Sequence, residues 1–562
     1  MSLDARGLAG ALAALSDTEL RAVLLERGAS PTASWRDPFD AAEALLEPAS
    51  VRAALTTLTA AEAADLSSAV RHGTPATDGT GRLEALALVA AGVPYPSVAD
   101  VVRSLPDVPV PNPTSAIARD SPAAAEHAFT AAGQLADLLL ASYVRPLTVI
   151  GTGSIAAGDR KRLVEDGLVR DPDDIDDLVW IAGAAGLLRL VEREWLVSRF
   201  AAEWLRASTA ERWAHLARTF RDRLPAGLRR DSRWALPEDW EHAYPWNPDW
   251  DAKTWSYRAV LLGLIDSETL LPTPWAQSDD DASQELLAGH LPHEVDRVYL
   301  QNDLSVIAPG PLAPALDIRL RSAADRESHA QASTYRFTPD SLQRALAQGE
   351  TEESLRDFLT GLSLTGIPQP LSYLITETAR RHGTITVGAD PVSGRTRVRV
   401  GSVALRDTLS IDQTLRPLGL LRDGDDLISR VGRDSVARAL AEAHYPVAVV
   451  NSAGEPEPLQ AGRLAPEDAT DTLPPDLDPL VARLHSADAE DLEAAWMQRE
   501  LEAAVHARAL LHVTVSLPDG AERTFTLEAS GIGGGRLRGL DRAADVERVL
   551  PISHITHLAV AS

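Results

Sequence analysis

Two proline-rich stretches set the layout of this chain. Leu105–Pro122 (LPDVPVPNPTSAIARDSP) and residues 452–478 (SAGEPEPLQAGRLAPEDATDTLPPDLD) each interrupt longer runs of regular pattern. Proline lacks an amide donor and cannot continue a helix or a central strand. The first stretch therefore reads as a linker or an extended crossing, and the second, which is also acidic, as a flexible linker. At about 100–200 residues per domain, a chain of this length holds roughly three to five domains. The expected blocks are 1–105, 125–285, 290–400, 401–451 and 480–562.

Within the first block, Ser16-x-x-Glu19 and Thr59-x-x-Glu62 each precede an apolar run, and residues Leu20, Val23 and Leu24 have helical spacing. A Ser/Thr hydroxyl and a glutamate three positions on satisfy each other's free amides, so each pair marks a helix start. The second block carries ten of the twelve tryptophans, between Trp180 and Trp275. Trp195, Trp204 and Trp213 are nine residues apart, a spacing that would put successive rings on opposite faces of one helix. Ser208-x-x-Glu211 therefore starts a new helix between the last two, and the rings read as core. From 290 to 400 short strands (Val298–Leu300, Leu304–Ile307, Tyr335–Phe337) give way to helices, with Thr338-Pro339 as a cap. Strands at Thr384–Val387 and Thr396–Val400 close this small α+β module. Residues 401–451 form a helical and extended extension. After 480 a helix, Glu490–Ala509, precedes five short strands, the pattern of a small barrel.

Composition narrows the chemistry. Lys+Arg 54 against Asp+Glu 81 gives a formal charge of −27, which repels DNA phosphates at long range and leaves only a local basic patch for such contact. The absence of cysteine removes disulfides, thiolate metal sites and thiol nucleophiles. Lys161 follows Arg160 and Lys253 follows Ala252, and they are the only lysines, so no Gly-Lys-Ser/Thr phosphate loop exists. No Gly-x-Ser-x-Gly or His-Glu-x-x-His occurs either. The N-terminus lacks a basic then apolar leader, and no run of about 18 apolar residues is present, so a cytoplasmic protein with no membrane contact is expected. No cofactor and no metal are expected.

Gly151-Thr152-Gly153-Ser154-Ile155-Ala156 follows an apolar run and matches a dinucleotide fingerprint on paper, but no alternating strand–helix series surrounds it. It reads as a glycine turn before a helix. That helix holds the one tight basic cluster, Arg160, Lys161 and Arg162. A second helix from about Asp173 and a hairpin over 187–197 complete a winged-helix pattern, in which the second helix of the pair normally enters the major groove. Here it opens with Asp171, Asp173, Asp174, Asp176 and Asp177, carboxylates that suit the helix dipole and oppose phosphate. Protein contact is therefore the expected use, with Arg160, Lys161 and Arg162 as nucleic-acid contact candidates. Gly531–Gly535 reads as a loop, Asp279-Asp280-Asp281 as a solvated loop, and His554-x-x-His557 lacks a complement for a metal.

The ordered run VDRVYLQNDLSVIAPGPLAPAL, TYRFTPDSLQRAL and GIPQPLSYLITETARRHGTITVG, between Pro292 and Val400, resembles the N-terminal, damage-recognition-like domain of XPB-type helicases. It covers roughly a fifth of the chain. The layout is similar to a bacterial helicase-associated protein that carries this module without motor domains. Residues from about Trp496 to Ser562 resemble a divergent WYL domain, an Sm-like barrel of bacterial transcription regulators. Gly535-Arg536-Leu537 stands where that family has Trp-Tyr-Leu, and His554-Ile555 where it has Arg-Ile. Arg536 and Arg538 remain as the anion-contact candidates.

The expected fold is multi-domain α+β, mostly helical: a helical N-terminal region, a winged-helix-like block, the XPB-N-like module and a C-terminal Sm-like β-barrel. The expected function is that of a non-catalytic accessory or scaffold in DNA transactions, namely repair, helicase partnering or transcription. It would bridge a helicase or other protein of a DNA-processing complex and, weakly, DNA. The alternative is a ligand-responsive transcription regulator in which the winged helix reads DNA and the barrel senses a small molecule.

Overall fold

A computed structural model describes residues 3–76, 80–109, 118–151, 153–230, 233–234, 237–278, 280–328, 333–390, 394–460, 462–467, 475–486, 489–517 and 521–560. The architecture is multi-domain α+β with helices in the majority and several separate sheets. Among the described residues no helix is long and apolar enough to cross a membrane.

The N-terminal block is a helical cluster. Its helices Asp17–Glu26 and Ala60–His72 start at Ser16 and Thr59, and both reciprocal caps are formed with Glu19 and Glu62. Leu20, Leu24, Leu55, Leu58 and Leu66 are fully buried between the helices. One member comes from far along the chain. The helix Asp478–His485 places Leu480, Val481 and Leu484 in this same core, and Leu477 beside them.

In the second block the helix Pro122–Val144 leads to the strand Leu147–Thr148, then the helices Ala157–Glu165 and Asp174–Ala184 and a hairpin of Leu188–Val191 with Glu194–Val197. The three strands form one antiparallel sheet with Glu194–Val197 in the middle. Gly151 and Gly153 sit in a turn closed by an antiparallel bridge between Val149 and Ile155, ahead of the helix that starts at Ala157. The break between Trp204 and Trp213 falls where expected, with the Ser208–Glu211 cap formed. Trp204, Trp213, Trp240 and Trp275 are buried in one core. Asp280 and Asp281 open the helix Asp280–Ala288 and are not in a loop; Asp279 lies outside the described residues.

Residues 298–457 make two sheets. Four antiparallel strands, in the order Asp325–Ser328, Thr334–Arg336, Ser305–Ile307, Tyr299–Leu300, share a core with the helices Pro314–Ala323, Pro339–Ala347, Glu352–Leu362 and Gln369–Arg381. The strands Ile385–Ala389 and Thr396–Val400 belong to a second, six-stranded sheet with Leu421–Asp423, Asp426–Ser429, Val447–Val450 and Pro456–Glu457. The boundary expected at 400 thus cuts through one sheet. Alternation of apolar residues shows that 396–400 is a strand, but not that its partners lie downstream.

The stretch 452–478, expected as a flexible linker, is docked over much of its described length. Pro456–Glu457 extends the six-stranded sheet. The Leu459 amide donates to the Ala347 carbonyl at 2.8 Å, and the Ala465 amide to Val197 at 2.8 Å. Gly462 lies so close to the Tyr143 carbonyl that a Cβ there would be 1.7 Å from its oxygen. Residues 461 and 468–474 lie outside the described part.

At the C-terminus the helix Ala489–Ala507 packs on a five-stranded antiparallel sheet. The strand order is Val546–Pro551, Arg536–Asp541, Glu522–Gly533, Leu510–Ser516, Ile555–Val560. This corrects the expected barrel: the sheet is open, with Val546–Pro551 and Ile555–Val560 as unjoined edges. A bulge between Ala529 and Gly531 bends the long strand. Leu501 and Ala504 of the helix cover the inner face, so Leu511, Val513, Leu527 and Leu537 are buried without closure. Gly531–Gly533, expected in a loop, is strand; the turn is Gly534-Gly535 alone, both at positive φ, as a two-residue hairpin requires.

Candidate functional site

The three basic residues of the helix Ala157–Glu165 point to different uses. Arg160 pairs with Asp176 and donates to the carbonyls of Pro172 at 2.9 Å and Ile155 at 3.2 Å. Arg162 pairs with Asp159 at 3.1 Å, and Asp159 accepts from the Thr148 amide at 3.0 Å. These two guanidinium groups clamp their own block. Lys161 is exposed beside Glu165 at 3.5 Å.

The helix Asp174–Ala184 has its acidic start turned to internal partners. The Tyr257 hydroxyl donates to Asp174, and Arg258 pairs with Asp177 at 2.7 Å while lying 4.0 Å over the Trp180 ring. Trp255 meets Trp180 edge-on at 5.4 Å. Tyr257, Arg258 and Trp255 all belong to the helix Ala252–Leu261, which therefore covers this face. Burial, with Asp171, Asp177 and Asp173 nearby, holds the Asp174 carboxyl above the ordinary range. A helix packed in this way has no free face to lay in a groove.

Arg536 and Arg538 share the outer face of the C-terminal sheet, where both are exposed. Their neighbours across the ladder are Gly533 and Gly531 on one side and Pro551 and Val549 on the other. A Cβ on Gly531 or Gly533 would meet nothing within 4 Å, so the surface around the two guanidinium groups is open. His554 ends a single 3-10 turn and His557 sits in the edge strand opposite Thr514.

Sequence reasoning did not reach a polar cleft built around a buried carboxylate. A cleft of about 170 Å³ lies where the helix Pro122–Val144 meets the four-stranded sheet unit. Its centre is Asp137, 5% exposed, which accepts from Arg321 at 2.5 Å and Arg326 at 3.4 Å. Arg321 also approaches Asp317 at 3.6 Å, and the Tyr335 hydroxyl donates to Asp317 at 2.5 Å. Arg326 donates to the Ser333 hydroxyl at 3.0 Å. Arg212, on the cleft wall, is 6% exposed and donates to the carbonyls of Trp204 (3.2 Å) and Leu205, with its guanidinium 5.3 Å from the centre of the Trp204 ring.

Burial and charge compete at each group. Burial opposes the Arg321 cation, but Asp137 and Asp317 outweigh it and hold its pKa above the usual value. Burial dominates at Arg212 and lowers it to about 10. Burial and then Asp317 push the Tyr335 phenol up. One signal was available: Asp137 interrupts the buried row Leu135, Ala136, Leu138, Leu139, where a carboxylate needs a partner from another element.

Comparison with known proteins falls on this region. Residues 298–423 match the family model described as helicase conserved C-terminal domain. The DNA 3'-5' helicase XPB of Mycobacterium tuberculosis (strain ATCC 25618 / H37Rv) is 33% identical over 95 residues, 17% of this chain and 17% of that protein. The chain thus spans about a sixth of the length of the curated relative it matches. The matched segment is helicase-related and supplies Asp317, Arg321, Arg326 and Tyr335 of the cleft, while Asp137 and Arg212 come from the preceding block.

Proposed function

We propose that this protein is a non-catalytic accessory or scaffold of a helicase-dependent DNA transaction. The observation that carries the reading is a helicase-related segment in a chain whose two lysines, Lys161 and Lys253, both lie outside any phosphate-loop sequence. On this reading the segment 298–423 engages a helicase or the nucleic acid it works on, and the surrounding blocks hold other proteins. Residues 122–197 serve as a winged-helix-like unit used for packing. The covered helix Asp174–Ala184 and the internal pairing of Arg160 and Arg162 favour protein contact there over base reading. Residues 489–560 serve as a divergent WYL-like unit whose exposed Arg536 and Arg538 meet anionic groups.

The test has two parts. Purified protein is expected to hydrolyse no ATP with or without DNA; DNA-stimulated hydrolysis by the isolated chain would overturn the reading. Pull-down from the native cell, with and without nuclease, is expected to retain a motor protein in both arms. Recovery in the untreated arm alone would place DNA, and not protein contact, at the centre of the association.

A further inference from the structure

The buried cations of the cleft are not all paired at close range. Three guanidinium groups, Arg212, Arg321 and Arg326, line it together with two buried or half-buried carboxylates, Asp137 and Asp317. Both carboxylates are already engaged, Asp137 by Arg321 and Arg326, and Asp317 by Arg321 and Tyr335. Arg212 has no carboxylate within ion-pair distance among the described residues. Its named partners are two main-chain carbonyls and the face of Trp204. This buried cation meets Asp317, Glu294 and Asp137 only from beyond ion-pair distance, and burial outweighs their pull. The chain keeps this one although its net charge is −27 and carboxylates are plentiful.

We propose that the cleft is a binding site for a small oxyanion, a phosphate or carboxylate group, held beside Arg212 at the junction of the helicase-related segment with the preceding block. The space, about 170 Å³, suits one such group and its water; an apolar cavity of about 150 Å³ is known to take up benzene. Thr130, Gln134 and Ser333 add hydrogen-bonding groups to the wall, and Arg170 stands at the rim with no ion pair among the described residues. Besides Asp137 and Asp317, two carboxylates act against an anion. Glu126 is exposed at the rim, and Glu294, which accepts from the amide of the lining residue Thr209 at 2.7 Å, adds its charge near Arg212. The assignment does not rest on the accessory role proposed above, because neither ATP hydrolysis nor pull-down reads it.

The test is calorimetric titration of the full chain with inorganic phosphate and, separately, acetate, against chloride at equal ionic strength. One site per chain is expected, at least tenfold tighter than chloride. A response to phosphate alone assigns a phosphate group, and one to acetate a carboxylate. Two variants locate the site without disturbing the ion network. Gly133→Leu places a side chain at the mouth, where a Cβ meets nothing within 4 Å; at least tenfold weaker binding is expected, with a Tm like the parent's. Arg170→Ala is expected to weaken binding three- to tenfold. The proposal fails if neither anion outcompetes chloride, or if both variants bind like the parent protein.

Discussion

At the scale of single residues, Asp137 is the group on which most depends. It is the shared acceptor of Arg321 and Arg326, on a helix from one block facing a unit from the next. Removing one partner of a buried pair leaves the other charge uncompensated, so Asp137→Asn is expected to destabilise the protein by about 3–5 kcal/mol, read as a lower midpoint in urea unfolding. A loss below about 1 kcal/mol would mean that water enters the cleft freely. A second carboxylate gives a pH signature. Asp266 accepts from the Ser121 hydroxyl at 2.5 Å and from the Thr269 amide at 2.8 Å, and these bonds depress its pKa from 3.8 to about 2. A depressed folded pKa contributes stability that is complete above the unfolded value and lost as pH falls through the folded one. The gap between the parent and Asp266→Asn is therefore expected to close between about pH 4 and 2, by only about 1 kcal/mol because the group is partly open to solvent. A gap that persists at pH 2 would assign the effect to packing.

Among the elements, local chemistry was readable and partnership was not. Ser16, Thr59 and Ser208 each start a helix because a cap needs only residues three positions apart. The five C-terminal strands were also legible from alternation, but barrel closure depends on whether the two outer strands meet, and a helix covers the inner face instead. Proline and acidic content suggested a free linker over 452–478, because composition does not register a surface elsewhere that receives the backbone. The cleft was hidden for the same reason: Asp137 and Arg321 are 184 residues apart, and a carboxylate in an apolar row calls for a partner without saying which. Gly462 tests the docked stretch. With a Cβ only 1.7 Å from the Tyr143 oxygen, Gly462→Ala must push this backbone off the second block. Faster proteolysis within 459–467 and a lower Tm are expected; unchanged cleavage would show that the contact contributes little.

For the whole molecule, the path of the chain matters more than any one block. After the docked stretch it returns to the N-terminal helices, where Leu480, Val481 and Leu484 are almost fully buried. Arg483 donates to the carbonyls of Trp35 and Ala33, each at 2.8 Å, and His485 meets Asp17 at 2.7 Å. Residues more than 440 positions apart thus complete one core, and the N-terminal block is closed by the chain that leaves the helicase-related segment. Truncating a buried leucine to alanine costs about 2–5 kcal/mol, and the cost spreads to whatever unfolds with it. Leu484→Ala is therefore expected to raise hydrogen exchange in the helix Asp17–Glu26 as well as in Asp478–His485, with the C-terminal sheet left protected. Enhanced exchange confined to Asp478–His485 would mean that the returning helix is only laid against a block already stable without it. Loss of protection in both would tie the stability of the first hundred residues to this returning helix.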